Sequence, residues 1–232
     1  MTDALTRPAP SALDRPRERG KENITADDVT LPRIAIAQKT SAQLEPDKPE
    51  YIAGLKLFQL FNTATKDVYG AGPIEFVVVR LDKRRMQFDA NNNVVDHDVP
   101  AGDPRLEFTT GPDGQRLRPI ATLFYDFLVI LDVEPRMPAV LSLKGTGVKT
   151  ARHLNNLLKM RRGDAWLQKF SLTATKDASG SFTYGAYVIQ PAGPTPDDLQ
   201  TLAEQTYEDL LDRRLDTDRD TGDVIDQEGV PF

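Results

Sequence analysis

The side chains best suited to chemistry in this chain are cations set among aromatic rings. Lys83, Arg84 and Arg85 run consecutively beside Met86 and Phe88. Lys144, Lys149, Arg152, Lys159, Arg161 and Arg162 crowd a second stretch. Ammonium and guanidinium groups hold phosphate oxygens, and exposed rings stack on bases at about 1–3 kcal/mol per base. Tyr69, Phe88, Tyr125, Trp166, Tyr184 and Tyr187 are candidate stacking rings. Phe88, Tyr125, Tyr184 and Tyr187 are the expected contacts. Phe124, Phe127 and Phe170 are expected to fill the core, and Trp166 suits packing better than stacking. The bland reading of the second cluster is a solvated helix face.

The parts for catalysis are missing. There is no cysteine, and the histidines are His97 and His153. That excludes disulfides, thiolate metal sites and cysteine nucleophiles, and it fits a reducing compartment. Asp96-His97-Asp98 has the residue types of a metal-binding pair but lies in a turn-rich stretch with no second histidine cluster. Asp82, Asp89, Glu107 and Asp126 show no spacing that builds a nuclease site. Ser142 lacks the Gly-x-Ser-x-Gly elbow. Gly145-Thr146-Gly147, flanked by Lys144 and Lys149, could offer backbone amides to a phosphate at a helix start. It lacks the Gly-Lys-Ser/Thr ending of a nucleotide-hydrolase loop. The expectation is a protein that is not an enzyme, with no cofactor and no metal.

The C-terminal tip carries different chemistry. Asp220, Asp223, Asp226 and Glu228 precede Gly229-Val230-Pro231-Phe232. An acidic stem is drawn to a basic groove, a terminal ring fills an apolar pocket, and a free carboxylate pairs with Arg or Lys. Asp223, Asp226, Glu228, Val230, Pro231 and Phe232 are therefore the expected partner-binding residues. A generic solubilising tail is the alternative.

The charge is unevenly spread, although the whole chain of 232 residues carries −6. Residues 1–30 hold 5 basic and 6 acidic side chains, residues 31–190 hold 21 and 17, and residues 191–232 hold 3 and 12. The middle is thus mildly basic and the end strongly acidic.

The elements that must position these groups read as mostly β. Residues 1–30 are polar and Pro-rich, so disorder is expected, and no secretory signal is seen there. Order should begin at Leu31–Ile36. Tyr51–Leu57 and Val68-Tyr69 carry β-type signals. Ile74–Arg80 is a β-branched run that continues through Phe88, and Ile120–Val133 is the strongest strand. Asn91–Asp113 is rich in turn residues, as expected of a functional loop over the core. Ala139–Leu143 is a short strand. Apolar Val148, Ala151, Leu154 and Leu158 predict a helix over Val148–Arg161, stopped by Gly163. Leu167–Thr175 and Ser181–Gln190 read as a hairpin, and Pro194–Arg214 as an amphipathic helix. The expected fold is mainly β with one or two helices: a partly open barrel of the oligonucleotide-binding type, with disordered tails. A sandwich would read similarly. The expected divisions are residues 1–30, a domain over 31–193, a helix over 194–214 and a docking tail over 215–232. No apolar run approaches the roughly 20 residues that span a bilayer.

The tip Val230-Pro231-Phe232 after an acidic stretch resembles the tails of bacterial single-stranded-DNA-binding proteins. It is also similar to the acidic, Phe-ending tails of phage replication proteins of that function. The stretch from Leu141 to Asn155, together with Leu31-Pro32-Arg33, Tyr51-Ile52-Ala53-Gly54 and Phe61-Asn62-Thr63, resembles phage early-region proteins suspected of the same role. The resemblance implies a sequence-independent binder of single-stranded DNA in phage replication, recombination or repair. It implies a tail that recruits replication or recombination proteins, and residence in the host cell cytoplasm. A competing reading is a phage structural or adaptor protein whose β-core binds protein. Oligomeric state stays open, a homodimer included.

Overall fold

In the run Phe76-Val77-Val78-Val79 no position is polar, so neither face of the strand can meet water. The computed structural model, which describes residues 30–90, 93–179, 182–211 and Leu215, covers both faces. The expected disorder of the N-terminus and the acidic docking tip lie outside the described residues.

The long strand is β4 (Ile74–Phe88). It lies between β8 (Ala121–Leu131) and the hairpin of β10 (Gln168–Ser179) and β11 (Phe182–Pro194). With β9 (Pro138–Leu143) at the far edge, the antiparallel order is β11-β10-β4-β8-β9. The short β5 (Val94–Asp96) adds to the end of β4. A second sheet runs β1 (Ile34–Ile36), β2 (Leu60–Asn62), β3 (Val68–Gly70). It is tied to β9 through a bridge between Arg33 and Val140. A small hairpin of β6 (Thr109–Thr110) and β7 (Arg116–Leu117) completes the β structure. The sheets do not close, and the molecule is a mainly β, partly open barrel.

Each face of the large sheet has its own apolar layer, because side chains alternate along a strand. Phe76 and Val78 point inward with Phe127, Val129, Leu141, Leu143 and Phe170. Helix α1 (Val148–Lys159) plugs that side with Ala151 and Leu154, both fully buried. Truncating Leu154 to Ala would cost about 2–5 kcal/mol at such a site. Val77 and Val79 point the other way with Leu128, Ile130 and Val140. Helix α2 (Asp197–Leu210) covers them with Leu199 and Ala203. Leu215 is fully buried in the same layer, so the packed core reaches one residue into the segment expected to be tail.

Polar groups strap α2 to the sheet. Glu75, Lys169, Asp132, Arg136 and Asp198 form a chain of ion pairs from β4 to the first turn of α2, with Arg136 to Asp198 at 2.6 Å. At the other end Arg80 donates to the carbonyls of Leu210 and Leu211, whose helical partners have run out.

The regular elements match the reading of the sequence closely. Tyr51–Leu57 differs, being a series of turns and not a strand. Leu55 N donates to Ile52 O, and Gln59 N to Lys56 O, so bonding is local. Ile52 and Leu55 are buried three apart against Phe61, a spacing no strand offers.

Candidate nucleic-acid interface

Strands β1 and β11 face each other in different sheets and share no ladder. Side chains bridge the seam instead. Tyr187 donates its hydroxyl to Ile34 O at 3.2 Å. The Gln38 amide bonds Gly185 twice: Oε1 accepts from Gly185 N at 2.8 Å, and Nε2 donates to Gly185 O at 3.0 Å. A cleft of about 630 Å³ lies along this seam.

One wall of the cleft is β11, from Tyr184 to Gln190, and the opposite wall is β1 with Arg33 and Gln38. The start of α1 closes the end. Gly145–Gly147 form a 3-10 turn that feeds α1, and Thr150 Oγ1 donates to Tyr187 O at 3.0 Å. This docking turns Thr146, Lys149, Thr150 and His153 toward the cleft. Lys149 and His153 lie one turn apart, which puts them on one helix face.

The electrostatic balance of the cleft favours an anion. Among the described residues, Arg33, Lys144 and Lys149 line it with one carboxylate, Asp177. Asp177 Oδ2 accepts from the Tyr184 hydroxyl at 3.0 Å. Burial pushes the Tyr184 hydroxyl above its ordinary value, and the bond to Asp177 adds to that. Tyr184 therefore stays a neutral donor with its ring at the cleft wall.

The structure gathers Lys144, Lys149, Tyr184 and Tyr187 from the expected set at this cleft. The ammonium of Lys144 sits 5.7 Å from the Phe124 ring, and that of exposed Lys83 sits 5.4 Å from the Tyr125 ring. Two expected contacts are withdrawn from solvent. Arg84 is 6% exposed and binds Asp126 through Nε at 2.7 Å, so its charge is spent inside the sheet. Tyr125 is 7% exposed and belongs to the inner core, where a base cannot reach its face. Phe88 is half-buried, 6.0 Å from the Phe124 ring. Arg85 is half-buried on β4, with a bridge to Asp98. Arg152, Lys159, Arg161 and Arg162 are exposed along α1 and the turn after it, outside the cleft lining.

Gln38, Thr150 and Asp177 are among the cleft residues outside the expected set. Thr146 was flagged by its glycine turn, but nothing local marks Gln38, whose partner is far away in the chain. Behind the cleft wall, Ser142 donates to Asp126, which also holds Arg84. Asp96 is held below the usual carboxylate range by the Asp98 N–H and by Arg105, so it is committed to the loop that carries it. Among the described residues no three His, Cys, Asp or Glu side chains group as metal ligands. Among them, too, no helix is long and apolar enough to cross a membrane.

No curated protein and no solved structure matches this chain. A family model described as Pam3 phage gp34-like protein matches residues 2–215. The match takes in both helices, both apolar layers and every residue of the cleft, and the chain belongs to this phage protein family.

Proposed function

We propose that this phage protein binds single-stranded DNA with little regard to sequence, using the seam cleft as its primary contact. The observation that carries the reading is that Lys144 and Lys149 line one cleft with Tyr184 and Tyr187, which alternate to the two faces of β11, where the barrel is open. A single strand needs cations for its phosphates and flat faces for its bases, and this cleft offers both. Beyond the cleft, Arg152 and Lys159 on α1 and Arg161 and Arg162 in the turn after it would carry the strand onward. The protein acts without catalysis, protecting exposed strands in replication, recombination or repair. Its acidic tip at Val230-Pro231-Phe232 recruits partner proteins.

A fluorescence titration with labelled oligo-dT, repeated with oligo-U, tests the reading. Binding should weaken steeply with salt, as counterion release requires. Indifference to both polymers at low salt would overturn it.

The adaptor reading has one observation in its favour. Val95, Leu117 and Ile120 around the β6–β7 hairpin are 56%, 47% and 62% exposed, which suits contact with another protein. An oligonucleotide titration without signal would make this the leading function.

A further inference from the structure

We infer that Gln38 is the residue through which the cleft senses base identity. This inference rests on the nucleic-acid reading and extends it from affinity to preference.

A side-chain amide has two donors on nitrogen and two acceptor sites on oxygen. Gly185 takes one donor and one acceptor of Gln38, through bonds of 3.0 and 2.8 Å. One of each is left, on a side chain that lines the cleft. The two bonds fix the rotamer and settle which end is nitrogen, because Gly185 N–H can only donate and Gly185 O can only accept. The amide is thus pre-organised, and a base meeting it does not have to order a free side chain.

The surroundings fit a base. Gly185 stands between Tyr184 and Tyr187 in β11, and the Gln38 amide meets the backbone edge of that strand, with the two rings on its opposite faces. The glycine is required. A Cβ built there would run into Ile36 Cγ2 and lie 3.1 Å from Phe58 Cδ1, which would push β11 away from Gln38. Lysines and rings recognise any nucleotide, whereas among the uncharged groups of this cleft Gln38 brings a donor and an acceptor together in fixed directions. Bases differ in where they place their donors and acceptors, so Gln38 favours some over others.

The test compares full-length wild type with Gln38→Met, which keeps chain length and removes all four hydrogen-bonding capacities. Affinities are measured for dT, dC and dA homopolymers of one length, with the salt slope for each. Wild type should rank the three. Gln38→Met should change the ratios among them by about two- to tenfold, the worth of one hydrogen bond, and leave the salt slope unaltered. A purely structural role would lower all three affinities together and leave the ratios as they were, and that result overturns the inference. A wild type that binds all three equally overturns it as well. A wild type that binds none defeats the nucleic-acid reading itself, a distinct outcome. Thermal unfolding checks the variant. Should Gln38→Met fail to fold, Gln38→Glu replaces it: it keeps the bond from Gly185 N–H but has no donor, so the ratios must again move.

Discussion

Arg84 Nε on β4 and Asp126 Oδ2 on β8 meet at 2.7 Å inside the sheet, with Arg84 6% and Asp126 0% exposed. The two charges are neighbours only because β4 and β8 pair in antiparallel register. Asp126 also receives the Ser142 hydroxyl, so the pair anchors the strand that leads to the cleft.

Arg84→Ala strands a buried carboxylate and should destabilise the fold by about 3–5 kcal/mol, read as a lower urea midpoint. The double variant Arg84→Met/Asp126→Leu should recover much of that loss. Oligonucleotide affinity of the folded single variant should stay near wild type, because Arg84 faces no solvent. A tenfold loss of affinity without loss of stability would contradict the buried placement.

Lys144→Ala/Lys149→Ala removes two phosphate partners from the cleft. The slope of log affinity against log salt for oligo-dT should become shallower by about 1.4, at roughly 0.7 per phosphate on a single strand. Arg161→Ala/Arg162→Ala, outside the cleft lining, should cost less affinity on short oligonucleotides. Equal effects of the two double variants would move the primary contact away from the seam.

Deleting Gly222–Phe232 takes away Asp223, Asp226 and Glu228 with the terminal ring. Affinity for oligo-dT should rise at low salt, since an acidic arm competes with phosphate for a basic domain within a Debye length. Pull-down of host or phage replication proteins should be lost. No change in either assay would remove any functional role for the tip.

Acid should weaken the strap that ties α2 to the sheet. The Arg136 guanidinium holds the Asp198 carboxyl below its usual 3.8, with a lesser contribution from the Leu199 N–H. A carboxylate with a lowered folded value stabilises fully above its unfolded value, near pH 4, and loses that stabilisation as pH falls through the folded one. Trp166, which packs 5.4 Å from Tyr207 of α2, reports the event by fluorescence. In Arg136→Ala the fluorescence change should shift to higher pH, towards the ordinary carboxylate range. An unshifted profile would show that this ion pair does not hold the helix.

Much of the architecture was legible because burial is written in periodicity. Phe76-Val77-Val78-Val79 announces a strand covered on both sides, and Ala151, Leu154 and Leu158 announce the face of α1 that meets the sheet. The site was legible in part. Lys149 and Tyr187 carry their chemistry in their type, so composition finds them. Lys83 and Arg84 look equivalent in sequence, yet one residue of strand separates an exposed ammonium from a buried ion pair. Only register, fixed by β8, decides which is which. Gln38 was invisible for the opposite reason: its role exists only once β11 returns beside β1, and its neighbours give no hint. The turns at Tyr51–Leu57 read as a strand because Ile52 and Leu55 there serve a small satellite cluster, with φ of 83° at Gly54 and 64° at Phe58 beside it.

The two apolar layers are built on opposite sides of the same strands, β4 and β8, and that arrangement removes any plane along which the domain could come apart. Melting either helix lays bare one side of strands whose other side holds the remaining layer, so neither half has an independent existence. Calorimetry of the intact chain should then trace one heat-absorption peak, and limited proteolysis should leave no half-sized fragment of the domain behind.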